Sequence, residues 1–267
     1  MNENKTEPLL DVKNLNVSIN SIPIIHDISF SLNSSETVAI IGESGSGKSI
    51  TACSLLRLFS KNLNVKISGQ AFYDNTNLIG LNEANLRQIR GKHIAMVFQQ
   101  ALCALNPVMK IGKQIREAIL HNQSLSKKQA KEHTLELLDY VGILNPELRY
   151  NDYPHMLSGG MKQRIIIAIA LACKPKILIA DEPTTSLDIM IQDQIMLLLD
   201  KIKSEQHLST LLISHNLGLV AKTADRIYVM KNGKIVEEGT TDKVFKTPEH
   251  PYTQLLIHHK QGLQWNV

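Results

Sequence analysis

Short apolar runs separated by turn residues dominate the first forty positions of the chain. The runs "LLDVKNLNVSI" (9–19) and "IIHDISFSL" (24–32) alternate apolar with polar residues, the period of strands that cover one face. "TVAII" (37–41) does not alternate. Its continuous apolar character predicts a central parallel strand, which feeds through a glycine-rich stretch into the helix-like "KSITACSLLRLF" (48–59). Further strands are predicted at "HIAMVF" (93–98), "KILIAD" (176–181) and "STLLIS" (209–214), and a hairpin at "RIYVMKNGKIVEEG" (226–239) that turns on Asn232 and Gly233. From Gln99 to Ser158 the period changes. "IGKQIREAIL" and "SKKQAKEHTLELLDYVGIL" space their apolar residues by three and four, as amphipathic helices do, and Pro107 and Pro154 stand as breakers near the borders. The fold class read from this order is α/β with an inserted all-helical segment, followed after Gly239 by short helical pieces.

Bulk properties narrow the picture. A chain of 267 residues can bury a sizeable core, and 43% hydrophobic with 20% charged residues is an ordinary globular composition without repeats or low-complexity tracts. The net charge of +4 comes from scattered Lys and Arg, which argues against a nucleic-acid partner. "MNENKTEPLL" lacks the basic and apolar regions of a secretory signal, so the chain is expected to stay inside the cell. "IIIAIALAC" (165–173), bounded by Arg164 and Lys174, is too short to cross a bilayer and reads as a buried helix. Cys53, Cys103 and Cys173 are far apart, without metal-ligand spacing, and are expected as buried thiols in a reducing compartment.

The chemistry concentrates in a few stretches. "GESGSGKS" (Gly42, Glu43, Ser44, Gly45, Ser46, Gly47, Lys48, Ser49) matches G-x-x-x-x-G-K-[ST] between a strand and a helix, the context that the motif requires. Its glycines bring backbone amides close to phosphates, Lys48 supplies a charge to the β and γ phosphates, and the Ser49 hydroxyl is a Mg²⁺ ligand. A Gly-Ser turn capping a helix is the plainer alternative. "KILIADEP" ends a buried strand in two acids, which need a cation or a water: Asp181 to hold Mg²⁺ and Glu182 to polarise an attacking water. Gln99 follows a strand, and as an amide it can touch both metal and water; a surface glutamine is the alternative. His215 follows "STLLIS" and can bond a γ phosphate or its water, although a histidine there is more often a capping or partly buried residue.

"LSGGM" (157–161) raises a problem. Ser158, Gly159 and Gly160 open a helix with amides suited to an anion, yet the chain already has a phosphate loop and one nucleotide has one triphosphate. A simple helix cap aside, the second grip then belongs to a nucleotide held by another copy, with "SLD" (186–188) near that interface.

Taken in order, GESGSGKS, Gln99, LSGGM, ILIADE, SLD and His215 resemble the nucleotide-binding subunits of ATP-binding cassette (ABC) transporters across almost the whole chain. The resemblance implies a P-loop NTPase core with a RecA-like mixed sheet and an antiparallel β subdomain (1–98 and 161–240), a helical subdomain at about 99–160 and a short C-terminal extension (241–267). It implies ATP and Mg²⁺ as cofactors, with Ser49, Gln99 and Asp181 at the metal, Glu182 as general base and His215 as a switch. It also implies a sandwich dimer with a second ATPase subunit, a non-identical relative in many systems, and two membrane permeases served by an extracellular or periplasmic binding protein. The place implied is the cytoplasmic face of the membrane, held peripherally.

Within that family, "QQALCALNPVMKIGKQI", "LSGGMKQR", "IADEPTTSLD" and "HPYTQLL" are similar to importers of oligopeptides, dipeptides and nickel. Peptide-importer members continue past HPYT into a cysteine-containing tail, and the short ending here gives the expectation of a nickel or metallophore importer, with a peptide importer as the alternative. Met161 stands where the signature commonly has glutamine, Ile50 where threonine often follows the phosphate-loop serine, and Ile19, Ile22 and Ile24 where an aromatic ring usually stacks on adenine. A ribosome- or DNA-associated ABC ATPase would carry a second cassette or a long coiled-coil insertion, which this sequence lacks. A purely regulatory ATP-holding module is disfavoured by Glu182 and His215.

Overall fold

The computed structural model describes residues 7–98, 104–185 and 187–261, with side chains through 258. In chain order the elements are β1 (Leu10–Ile19), β2 (Ile22–Leu32), β3 (Thr37–Ile41), α1 (Lys48–Leu55), β4 (Val65–Tyr73), β5 (Thr76–Asn77), α2 (Glu83–Ile89) and β6 (Ile94–Val97). Then follow α3 (Ile111–Asn122), α4 (Lys127–Tyr140), α5 (Pro146–Arg149), α6 (Gly159–Leu171), β7 (Ile177–Asp181) and α7 (Ile189–Gln206). The order closes with β8 (Ser209–Ser214), α8 (Leu217–Thr223), β9 (Arg226–Lys231), β10 (Lys234–Thr240), α9 (Thr241–Lys246) and α10 (Pro251–Gln261). Two compact units result, one from residues 1–87 and 209–267, the other from 88–208.

The first unit holds two sets of strands. β2, β1, β4 and β5 pair antiparallel in that order. Leu10, Val12, Leu15 and Val17 of β1 point to one buried side, the alternation that the sequence shows. The register slips between Lys13 and Asn16, where Asn14 is left-handed, and Gly69 opposite it has no room for a side chain because a Cβ would lie 2.3 Å from the Asn14 carbonyl. In the other set β3 is buried at every residue and runs parallel to both β8 and β9, while β10 returns antiparallel to β9, so the strands form a mixed arrangement. Tyr228 on β9 fastens the two sets: its hydroxyl accepts the Ser31 amide at 3.1 Å, and its ring meets Phe30 edge-on at 5.9 Å.

The second unit pairs β6 parallel to β7 and contains α3 to α7. Between 104 and 158 its described residues form helices and turns. The Ile111, Ile115 and Ile119 face of α3 is buried, as are Ala130, Thr134, Leu137 and Leu138 of α4, which starts with a reciprocal capping box between Ser126 and Gln129. α6 is buried through Ile165, Ile166, Ile167, Ala168, Ala170 and Leu171, as its all-apolar run predicts.

Three expectations need correction. The helix expected over 126–144 ends at Tyr140, with Gly142 left-handed just beyond it, and the one expected to Phe59 ends at Leu55, before left-handed Arg57. β4, which pairs along most of β1, has no counterpart among the expected strands. Cys53, on α1, and Cys173, in the turn after α6, are half-buried rather than buried; Cys103 lies outside the described residues. Among the described residues, no helix is long and apolar enough to cross a membrane.

Candidate active site

In the first unit β3 delivers the chain into the loop 42–49, which is tied down from several sides. A Cβ on Gly42 would lie 2.2 Å from the Met230 carbonyl, so only glycine lets the loop start flat against β9. Gly47 precedes α1 with φ 109°, and a Cβ there would meet Ile25 Cδ1 at 2.6 Å. The Gly233 amide donates to the Ser46 carbonyl at 2.9 Å, and the His26 amide donates to the Gly233 carbonyl at 2.9 Å, which anchors the loop to the β9–β10 turn and to β2. Lys48 is only 5% exposed. Its ammonium donates to the carbonyls of Gly42 and Glu43 at 2.9 and 2.8 Å, so the charge is held by the dipoles of the loop itself. Glu43, Ser44 and Gly45 are exposed, and Ser49 is half-buried at the start of α1. Such a loop presents backbone amides and a fixed cation to an anionic ligand.

His215 lies in the same unit, exposed, between the end of β8 and α8. It is not the helix cap. Asn216 caps α8, its side-chain oxygen accepting the amides of Gly218 and Leu219 at 3.1 and 3.4 Å.

The second unit carries the acids and the second glycine-rich start. Asp181 ends β7 and is 4% exposed; Glu182 follows at 8%. Glu182 has φ 46°, a left-handed conformation unusual for a residue with a side chain. Its carboxylate accepts the Thr185 hydroxyl at 2.9 Å and its carbonyl accepts the Thr185 amide at 3.1 Å, so the turn fixes the side chain. Thr185 was not singled out in the sequence, although its place three residues after Glu182 was readable. Ser158, exposed, caps α6, its hydroxyl accepting the Met161 amide at 3.3 Å. Gly159 is exposed too, while a Cβ on Gly160 would lie 2.7 Å from Ile191 Cγ2. Asp188 caps α7, its carboxylate accepting the Ile191 amide at 3.0 Å. Gln99 and Ser186 lie outside the described residues.

Ser49 and Asp181 each offer a hard oxygen of the kind that Mg²⁺ takes. A glycine-rich loop between a parallel strand and a helix, with a strand ending in buried acids elsewhere in the chain, defines the class of P-loop nucleotide-binding proteins.

Comparison with known proteins takes this further. The model of the ABC transporter family matches residues 25–185, and the chain belongs to that family. It is 45% identical over 253 residues to the oligopeptide transport ATP-binding protein OppD of Bacillus subtilis, covering 93% of this chain and 71% of OppD. It is 46% identical over 256 residues to the dipeptide transport ATP-binding protein DppD of Lactococcus lactis, covering 94% of this chain and 73% of DppD. Its fold is that of the ATP-binding cassette. The dimeric post-hydrolysis structure of the cassette MJ0796 bound to ADP and Pi superposes with a TM-score of 0.76 at 27% identity, covering 87% of this chain and 98% of the other. The chain is accordingly an ATPase whose hydrolysis is coupled to transport.

These relatives turn the subtype expectation around. They are named for oligopeptides and dipeptides, and nothing among them supports nickel or a metallophore as cargo.

Proposed function

We propose that this chain is the ATPase subunit of an importer for short peptides, working on the cytoplasmic face of the membrane as a peripheral subunit. The observation that carries the reading is 45–46% identity, along more than nine-tenths of the chain, to ATPases named for oligopeptide and dipeptide transport. In this reading residues 1–98 and 161–240 form the nucleotide-binding core, about 99–160 the helical subdomain and 241–267 the extension. Lys48 and the amides of Gly42 to Ser49 hold the phosphates of ATP. Ser49, Asp181 and Gln99 would hold Mg²⁺, which would neutralise charge on the β and γ phosphates. Glu182 orients and deprotonates the attacking water, and the Thr185 bond keeps its carboxylate in one position while it does so. His215 contacts the γ phosphate.

Ser158, Gly159 and Gly160 serve the nucleotide of a second ATPase chain, so that ATP joins two chains into a working pair. The exposed apolar residues Val108, Leu144, Leu148 and Met156 of the helical segment support a docking role toward two permease subunits, which a substrate-binding protein outside the membrane supplies with cargo. Adenine meets aliphatic side chains: Ile22 is exposed at the β1–β2 turn, with Ile19 paired across from it.

The test is phosphate release by the transporter reconstituted in vesicles. A binding protein loaded with a short peptide is expected to stimulate turnover severalfold, and nickel or a metal chelate is not. Stimulation by the metal alone would overturn the assignment.

A further inference from the structure

The tail of the first unit reaches back to the phosphate loop. α10 begins at Pro251, and its second residue, Tyr252, is 4% exposed. The Tyr252 hydroxyl oxygen accepts the backbone amide of Glu43 at 3.0 Å. Glu43 is the loop residue whose carbonyl, together with that of Gly42, receives the Lys48 ammonium. One peptide unit therefore separates the phenol from the atoms that hold the cation.

The tyrosine is itself braced. Its amide donates to His250 Nδ1 at 3.1 Å, and the Lys231 ammonium lies over its ring at 4.6 Å. Behind it the Glu237 carboxylate on β10 accepts the amides of Glu249 at 2.8 Å and His250 at 3.0 Å, which pins the entry into α10. Burial pushes the Tyr252 phenol upward in pKa, so it stays protonated at neutral pH.

We propose that Tyr252 is a positioning residue for the phosphate loop, its hydroxyl holding the Glu43 peptide so that Lys48 and the loop amides are set for nucleotide phosphates. The proposal rests on reading 42–49 as the ATP-binding loop. It adds a residue more than two hundred positions away to the control of that site, and it gives the HPYT stretch a physical role.

The experiment compares the full chain with Tyr252→Phe, which keeps the ring and its packing and deletes only the acceptor. The Kd for ATP is expected to rise about three- to tenfold, the worth of one hydrogen bond, with the unfolding temperature nearly unchanged. In the assembled transporter the KM for ATP should rise by a similar factor while kcat stays within about twofold. A variant with wild-type Kd and KM overturns the proposal. Amide exchange in the unsubstituted chain is a second readout that does not depend on the variant folding: the Glu43 amide should be protected, and rapid exchange there overturns the proposal as well. If the unsubstituted chain bound no ATP, the nucleotide reading itself would fall; normal binding unaltered by Tyr252→Phe removes the tyrosine's role alone.

Discussion

Two helices of this chain begin with glycine-rich turns, and they begin in different ways. α1 starts from left-handed Gly47, which has no side chain to cap it, inside a loop bound to Tyr252 and to the β9–β10 turn, which is itself bound to β2. α6 starts from Ser158, whose hydroxyl already satisfies one of its orphan amides, and both Ser158 and Gly159 are exposed. The first is a cradle whose shape is imposed by its own unit. The second is a finished helix cap with an exposed start, where the proposed role needs a group supplied from outside the chain. Glycine thus does unequal work at the two starts: at Gly42 and Gly47 it is demanded by crowding, and at Gly159 it leaves an exposed face.

The largest expected effect separates chemistry from grip. Glu182→Gln should retain ATP binding and lower phosphate release in the assembled transporter by about 10²- to 10⁴-fold, the range for removing a general base. Retention of more than a tenth of the activity would show that the buried, Thr185-held carboxylate is not the base. Next, Lys48→Ala should weaken ATP binding to the isolated chain by about 10- to 100-fold, through loss of a charge-assisted bond, whereas Ser158→Ala should change it less than about twofold. Equal losses at the two positions in calorimetric titration would break the contrast between the helix starts.

Smaller effects sharpen it. Gly47→Ala forces a side chain into a left-handed position against Ile25 and should cost about 1–3 kcal/mol in urea unfolding, while Gly159→Ala, 3.2 Å from Leu187 Cδ2, should stay within about 0.5 kcal/mol. The smallest effect concerns pH. Burial alone would raise Glu237, but the backbone amides of Glu249 and His250, which donate to its carboxylate at 2.8 and 3.0 Å, help carry it below the usual glutamate value. A lowered folded-state pKa stabilises the protein above the ordinary value and ceases to do so as pH falls through the lowered one. Glu237→Gln should therefore flatten the acid limb of the unfolding-temperature curve, and an unchanged limb would contradict the anchoring of α10.

The local parts of this molecule are legible in its sequence. The phosphate loop, LSGG and the Asp181–Glu182 pair each lie within eight consecutive residues, and their chemistry follows from residue type and spacing. The buried β3 and the 165–171 stretch of α6 are equally plain because each is a nearly continuous apolar run. β4 was harder, since "VKISGQAFY" mixes polar residues with a glycine and is specified by its long-range pairing with β1. Tyr252 was invisible as a site residue because its bond to the loop spans 209 positions. The nickel or metallophore expectation rested on one terminal stretch, whereas the likeness to relatives named for oligopeptides and dipeptides runs along more than nine-tenths of the chain and favours the alternative.

The central claim is that ATP bound to one chain is completed by Ser158, Gly159 and Gly160 of another. An ATP analogue with a photoreactive group on its γ phosphate tests it most directly, followed by mapping of the labelled residues. The account predicts label on 158–160 in the assembled transporter, on a chain whose own loop carries Lys48→Ala, when its partner ATPase subunit is competent. Label on 158–160 in the dilute, isolated single chain, or its absence from the assembled transporter, would contradict it.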